Sequence, residues 1–409
     1  MSDPADIPHP GEEGRASPHS RYTKQSGTAI DRLADDLLVE ILSRVPAKSL
    51  LRFRCVSSHW LALIDHPDHR KTLPQTPAGF FYGSKYTGEW FLQPPLHFTS
   101  FPGRRCPPID TSCSFRPDHE RVHLLDCCNG LLLCRWRDAS AEGDELRYVV
   151  CNPATEKWVV LPSSGKATSE VATARLGFDP ALSPHFHVFE LVEEQDSAFP
   201  WDPDTAGVAV YSSETGGWVY KEERWDELIR PADPRSAFVF LNGYLHFQAN
   251  ARWFSHHHLA VVDTQGETWM SFSLPGGLVD GFIQRSQGRL HYANFQSGGD
   301  GVIRLVVYVL DNYRSREWIL KHSIEASYIF GGIDAYLEGG FDWIAMDFDW
   351  IVMDPECNTI FFIAGWGTTF MCYNMDLQQV KVISNLEDGW PAYLTYVPLY
   401  AELQSLHAL

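Results

Sequence analysis

No apolar run in this 409-residue sequence approaches the ~20 residues that a membrane-spanning helix requires. The opening stretch "MSDPADIPHPGEEGRASPHS" lacks the apolar core of a secretory signal. There is no open Asn-x-Ser/Thr acceptor, and the nine cysteines, with Cys127 and Cys128 adjacent, keep no regular spacing that would read as a disulfide framework. These absences favour a reducing compartment, cytoplasm or nucleus, and no membrane partner. Basic residues are also scarce: 33 Lys and Arg stand against 52 Asp and Glu, a formal charge of −19. A nucleic-acid backbone is therefore not expected as a partner, because phosphate binding needs clustered cations. Apolar residues are not scarce. At 44% hydrophobic and 13% aromatic the chain has ample material for a core.

Three regions differ in pattern. Residues 1–28 are rich in Pro, Gly, Ser and charge, with few aliphatic residues, and read as a disordered leader. Residues 29–70 read as a helical domain. Leu37, Leu38, Ile41, Leu42 and Val45 recur at helical spacing, and Asp35 and Asp36 suit the positive end of the helix dipole. Pro46 is expected to end that helix. A second helix carries Leu50, Leu51, Phe53 and Val56, and Ser57 or Ser58 can cap a third, with Trp60, Leu61 and Ile64 on its apolar side. So small a bundle cannot enclose this much apolar surface, so part of it must face the rest of the chain or another protein.

Residues 79–405 change to short apolar alternations broken by Gly, Asn, Asp and Pro, the punctuation of strands and turns. A unit recurs there: a turn, an apolar strand, a second strand ending near Asn or Asp, a short turn, and a third strand. "CNGLLLCRW" leading to "YVVCNPATEKWVVLP" is one copy, and "LNGYLHFQA" leading to "HLAVVDTQGETWMSFSLP" is another. In four copies the third strand opens on Trp158, Trp218, Trp269 or Trp318, spaced 60, 51 and 49 residues apart, near the ~40–50-residue period of propeller blades. A fifth copy has Val380 or Val382 at that place. The fold class expected is mainly β: a small three-helix domain followed by a β-propeller with five blades readable and six expected. The aromatic stretch 79–125 would be a degenerate sixth, and "AGFFYGS" with "AYLTYVPLYAEL" would form the closing seam. The tryptophans are expected as wedges between blades.

The helical block resembles an F-box, whose usual pattern is Leu-Pro-x-x-Leu-x-x-Glu-Ile-Leu-x-x-Leu-Pro, then Leu-x-x-x-x-x-Val-(Cys/Ser)-x-x-Trp. Leu33, Leu37, Glu40, Ile41, Leu42, Val45, Pro46, Leu50, Val56, Ser57 and Trp60 carry the likeness, and Ala34 stands where proline is usual. The later region is similar to the F-box-associated propeller of plant F-box proteins, through Cys128, Asn129, Gly130, Leu131, Leu132 and Cys134, and through Cys151, Asn152, Pro153, Thr155 and Trp158. The resemblance implies a substrate-recognition subunit of an SCF-type cullin–RING ubiquitin ligase. It implies a Skp-type adaptor as partner, contacted or supported by Leu33, Leu37, Leu38, Ile41, Leu42, Pro46, Leu50, Val56 and Trp60, with the cullin–RING core reached through that adaptor. A propeller rim would hold an unknown target protein.

Aromatic loops that include Trp201, Trp253 and Phe254 are candidate target contacts, since such side chains anchor interfaces. Catalytic signatures are missing: no Gly-x-Ser-x-Gly elbow, phosphate loop, Cys-x-x-Cys pair or His-Glu-x-x-His. His256 and His258 share a strand face but make two ligands without a third. Asp342, Asp347, Asp349 and Asp354 lie close in sequence, and only their separation in space would decide a paired-carboxylate chemistry. "SGGDG" at Gly298 reads as a hairpin turn. The expectation is a non-catalytic receptor with no metal and no cofactor. The alternatives are an adaptor-binding scaffold that delivers nothing for degradation, and a propeller enzyme with a helical cap.

Overall fold

The computed structural model describes residues 33–45, 47–66, 68–69, 72–73, 76–83, 97–102, 122–136, 147–194, 204–223, 225, 229–232, 238–251, 257–276, 281–286, 288–330, 348–354, 358–364, 369–386 and 390–406. The leader 1–28 and Pro46 lie outside them. Three helices come first: α1 (Asp35–Ser43), α2 (Ala47–Phe53) and α3 (Ser58–Asp65). Asp35 and Asp36 occupy the first turn of α1. Ser57 is the cap of α3, its hydroxyl accepting from the Trp60 N–H at 3.2 Å. Leu42, Leu50, Ile64 and Leu73 form the core of the block, with Phe53 and Trp60 packed against it edge to face at 5.2 Å. On α3 the inward residues are Leu63 and Ile64, while Leu61, expected on the apolar side, faces out.

The strands form six sheets among the described residues. The first blade contains β1 (Gly79–Gly83) and β2 (His97–Ser100). The second is β3 (Val122–Cys128), β4 (Leu131–Trp136), β5 (Arg147–Asn152) and β6 (Lys157–Val160). The third is β7 (Val171–Gly177), β8 (His187–Glu193), β9 (Thr205–Ser212) and β10 (Gly217–Glu222). In the fourth, β11 (Ile229–Pro231) and β12 (Phe238–Leu241) both line one side of β13 (Tyr244–Ala251), followed by β14 (His257–Asp263) and β15 (Trp269–Ser273). The fifth is β16 (Phe282–Ser286), β17 (Arg289–Ser297), β18 (Ile303–Leu310) and β19 (Trp318–Glu325), with the short α4 (Ala326–Phe330) behind it. The sixth is β20 (Phe348–Asp354), β21 (Thr359–Ala364), β22 (Thr369–Asn374) and β23 (Gln379–Asn385). The last strand, β24 (Trp390–Tyr396), returns to the first blade and pairs antiparallel with β1, Phe81 opposite Leu394 and Gly79 opposite Tyr396.

Inner strands touch in the order β24, β3, β7, β12, β16, β20 and back to β24, so the ring of six blades is closed. The seam lies where "AGFFYGS" and "AYLTYVPLYAEL" were expected to meet. One expectation needs correction. Residues 79–125 are not a blade of their own: they supply the two outer strands of the first blade and the beginning of β3, while the innermost strand of that blade comes from the C-terminal end.

The tryptophan wedges are as expected. Trp158 packs on the core shared by blades one and two, Trp218 on that of two and three, Trp269 on that of three and four, and Trp318 on that of four and five. Each reaches toward the blade before its own; the Trp218 indole N–H donates to the Pro162 carbonyl at 2.8 Å. Strand register makes Val380, not Val382, the equivalent in the sixth blade, opposite Tyr373. The fully buried Tyr373 opposite it bonds His322 of the fifth blade at 2.9 Å.

Polar side chains line the inner strands. Arg175 donates to the Leu125 carbonyl at 3.0 Å and covers the Phe238 ring at 4.3 Å, and the Leu176 N–H donates to Asp126 at 2.8 Å. Arg285 of blade five reaches Asp179 beyond β7 at 3.0 Å. Buried histidines stitch neighbouring blades. His246 donates from Nδ1 to the Val239 carbonyl (3.1 Å) and accepts at Nε2 from the Tyr313 hydroxyl of the next blade (2.7 Å).

Two outcomes are expected from this arrangement. Burial lowers the pKa of His187, His246 and His291 to about 4, with the Lys321 ammonium adding to the effect at His291. Unfolded histidine titrates near 6.5, so the unfolded chain binds more protons below that pH, and these groups remove stability as pH falls from about 6.5 toward 4. Buried carboxyls with raised pKa, Asp126 and Glu190, act in the opposite direction. His246→Gln isolates one histidine: its melting temperature should fall less between pH 7 and pH 4.5 than that of the wild type. Removal of residues 390–409 deletes β24, and that chain should show neither a cooperative thermal transition nor protection from proteolysis.

Candidate functional site

Helix α1 separates its apolar residues by face. Leu38 and Leu42 point inward and are buried, Leu42 at 1% exposure. Leu33, Leu37 and Ile41, four residues apart, make one outward stripe along and just before the helix, with Leu37 54% and Ile41 50% exposed. Val56, in the turn after α2, is 61% exposed, and Leu61 also faces out. Of thirteen large apolar side chains left exposed among the described residues, five lie between Leu33 and Leu61. The block is a small fraction of the chain, so the exposed large apolar side chains of the described residues are concentrated there.

Two polar contacts tie parts of the block together. Asp35 and His59 meet at 3.0 Å between α1 and α3, and Arg54 meets Asp65 at 3.0 Å. The nine residues expected to serve one partner therefore divide. Leu33, Leu37, Ile41 and Val56 are available for contact. Leu38, Leu42 and Leu50 are interior and hold the stripe in place. Trp60 is half-buried against Phe53, and Pro46 lies outside the described residues.

The motif residues of the propeller turn out to be joints. Asn129 and Gly130 form the turn between β3 and β4, both at positive φ (46° and 91°). A Cβ on Gly130 would stand 2.4 Å from the Leu399 Cβ, which explains the glycine. The Asn129 amide (2.6 Å) and the Cys128 thiol (3.3 Å) both donate to the Phe178 carbonyl of the next blade. Asn152 donates to the Leu399 carbonyl at 2.8 Å and accepts from the Ala154 N–H at 3.0 Å, so it shapes the β5–β6 turn and fastens the chain end together. Burial raises the pKa of Cys127 and Cys128, the latter to about 12, so neither is an activated nucleophile.

Other sequence candidates are dispersed or lie outside the described residues. Trp201, Trp253, Phe254, His256, Asp342 and Asp347 belong to the latter group. His258 is buried in β14 and Asp354 is buried at the end of β20. "SGGDG" is the β17–β18 turn, where the Val302 N–H donates to Asp300 at 3.0 Å.

A helical block with an exposed apolar stripe, set before a closed six-bladed propeller, defines a two-module architecture. Residues 30–72 match the F-box domain and residues 92–383 the F-box associated beta propeller domain. The second match alone spans well over half of the chain, and the chain belongs to this family of F-box proteins with an associated propeller. Among its relatives in Arabidopsis thaliana, F-box protein At5g07610 is 25% identical over 335 residues, covering 76% of this chain and 74% of that protein. F-box protein At1g47340 is 26% identical over 310 residues, covering 70% and 62%. The likeness to solved structures is low: prolyl oligopeptidase B from Galerina marginata is 7% identical over 70% of this chain and 38% of that one, with a TM-score of 0.36.

The division of α1 has a measurable consequence. Leu42→Ala should destabilise the block by about 2–5 kcal/mol, whereas Leu37→Ala should change it by less than about 0.5 kcal/mol. Amide hydrogen exchange of peptides spanning α1–α3, followed by mass spectrometry, should show faster exchange only in the first variant.

Proposed function

We propose that this chain is the substrate-recognition subunit of an SCF-type cullin–RING ubiquitin ligase, its helical block docking a Skp-type adaptor and its propeller holding the target. F-box domains generally bind adaptors of this type. The observation that carries the reading is the exposed Leu33–Leu37–Ile41 stripe, backed by buried Leu38 and Leu42 on the same helix. Covering Leu37 and Ile41, each about half exposed, contributes roughly 1 kcal/mol or more apiece, and Leu33 and Val56 extend the patch. A few such anchors suffice once association costs are met.

The mechanism is tethering. The adaptor joins this chain to the cullin scaffold, and the propeller raises the local concentration of target near the conjugating enzyme, where other subunits carry out the chemistry. The chain itself is a non-catalytic receptor in this reading, working in the cytoplasm or nucleus.

Purified wild-type protein should retain a Skp-type adaptor in a pull-down, and a Leu37→Ala, Ile41→Ala double variant should bind at least about tenfold more weakly. Circular dichroism should be the same for both. Equal retention by the two folded proteins would refute the docking face. Adaptor binding without ligase-dependent turnover of a captured target would leave a scaffold in place of a receptor.

A further inference from the structure

After β24 the chain crosses to the second blade and lies there as a strap. Residues 397–406 belong to no strand and form only the short turn Gln404–Leu406, which lies against β5 and β6. Leu399, Leu403 and Leu406 are all buried, in one apolar cluster with Leu131, Tyr148 and Leu161. Glu402 and Gln404, between them, face solvent. The receiving surface is shaped for the first leucine. A Cβ on Gly130 would come 2.4 Å from the Leu399 Cβ and 2.6 Å from the Val397 carbonyl oxygen, and Asn152 donates to the Leu399 carbonyl at 2.8 Å. This is the geometry of a bound peptide. Apolar side chains at fixed spacing enter a surface, the residues between them stay outside, and an amide of the surface holds a main-chain carbonyl.

We propose that this surface of blades two and three is a docking site for a target segment with leucines spaced Leu-x-x-x-Leu-x-x-Leu, and that residues 397–406 occupy it while no target is bound. The proposal rests on the target-receptor reading above and gives the target a chemistry. Closure of the ring does not depend on the strap, since β24 pairs with β1 before the strap begins, Gly79 opposite Tyr396 and Gly83 opposite Trp390. Pro398, which has no N–H to donate, stands at the junction. A segment seated through three leucines, outside every ladder, opens locally more readily than the paired strands beneath it. A target segment of the same spacing then takes the vacated seat. Because the resident segment is tethered, its effective concentration sets the level of target at which exchange succeeds.

Two measurements on the full chain test this. The probe is a synthetic peptide of residues 397–409 with isotope-labelled leucine, which keeps its fragments apart from the protein's own. The control is the same peptide with Leu399→Ala, Leu403→Ala and Leu406→Ala. In the wild type, amide hydrogen exchange of residues 397–406 should run at least about tenfold faster than that of β4 and β5. It should accelerate saturably as probe is added and stay constant with the control. In the full chain, Leu403→Asp with Leu406→Asp loosens the strap, and that variant should bind the probe about tenfold more tightly than wild type in calorimetry. Strap amides that exchange no faster than β4 and β5, or that ignore the probe, overturn the proposal, as does a folded variant that binds the probe no better than wild type. Exchange that rises with protein concentration alone would assign the seat to a second copy and overturn the target occupant. If the variant does not fold, exchange in the wild type decides alone. Neither readout involves adaptor binding or target turnover, so the receptor reading and the seat can fail independently.

Discussion

The pairing of β1 with β24 is the contact on which the rest of the propeller depends. Each blade is a small antiparallel sheet that cannot cover its own faces, and only a closed ring gives every face a neighbour. Closure joins residues more than three hundred positions apart: Phe81 stacks edge to face on Tyr396 at 5.5 Å, and the Ala78 N–H donates to the Tyr396 carbonyl at 2.8 Å. Beyond β24 the chain continues onto the second blade, where Asn152 and the space left by Gly130 receive Leu399. Leu399, Leu403 and Leu406 then enter the core between blades two and three. The chain end therefore fastens one interface after completing another.

The interfaces between blades follow one scheme with one substitution. Four tryptophans, each at the start of an outer strand, pack toward the preceding blade, and Val380 stands at that position in the sixth, opposite Tyr373. Buried histidines and tyrosines add directional bonds between blades. Burial disfavours the charged form of such an imidazole, which makes these joints stronger near neutral pH than in acid.

Function is distributed over parts with opposite requirements. Helix α1 holds Leu38 and Leu42 inside and leaves Leu37 and Ile41 outside, so its packing and its exposed apolar stripe belong to different faces of one element. The propeller is a closed ring whose blades are joined by buried side chains. The proposed tethering role calls for both, an exposed apolar face on the helices and a closed body behind it.

Much of this was legible in the residues. Helical spacing over Leu37–Val45, the tryptophan period and the Asn- and Gly-bearing turns are local patterns, set by backbone sterics and side-chain alternation, and they predicted three helices, a propeller and its seam. The inner strands were not legible. β3, β7 and β16 carry Asp126, Arg175 and Arg285, which face neighbouring inner strands instead of solvent, so their alternation is broken and the recurring unit read as three strands instead of four. Likewise, sequence named nine residues for one docking face but could not say which point inward, because Leu37 and Leu38 differ by a rotation and not by chemistry. Periodicities confined to a few residues were enough for the helices, for three strands of each recurring unit and for the family likeness. Which blade the last strand completes and which leucines point outward were set by packing across the whole chain. Those depend on what the rest of the chain brings to within a few ångströms.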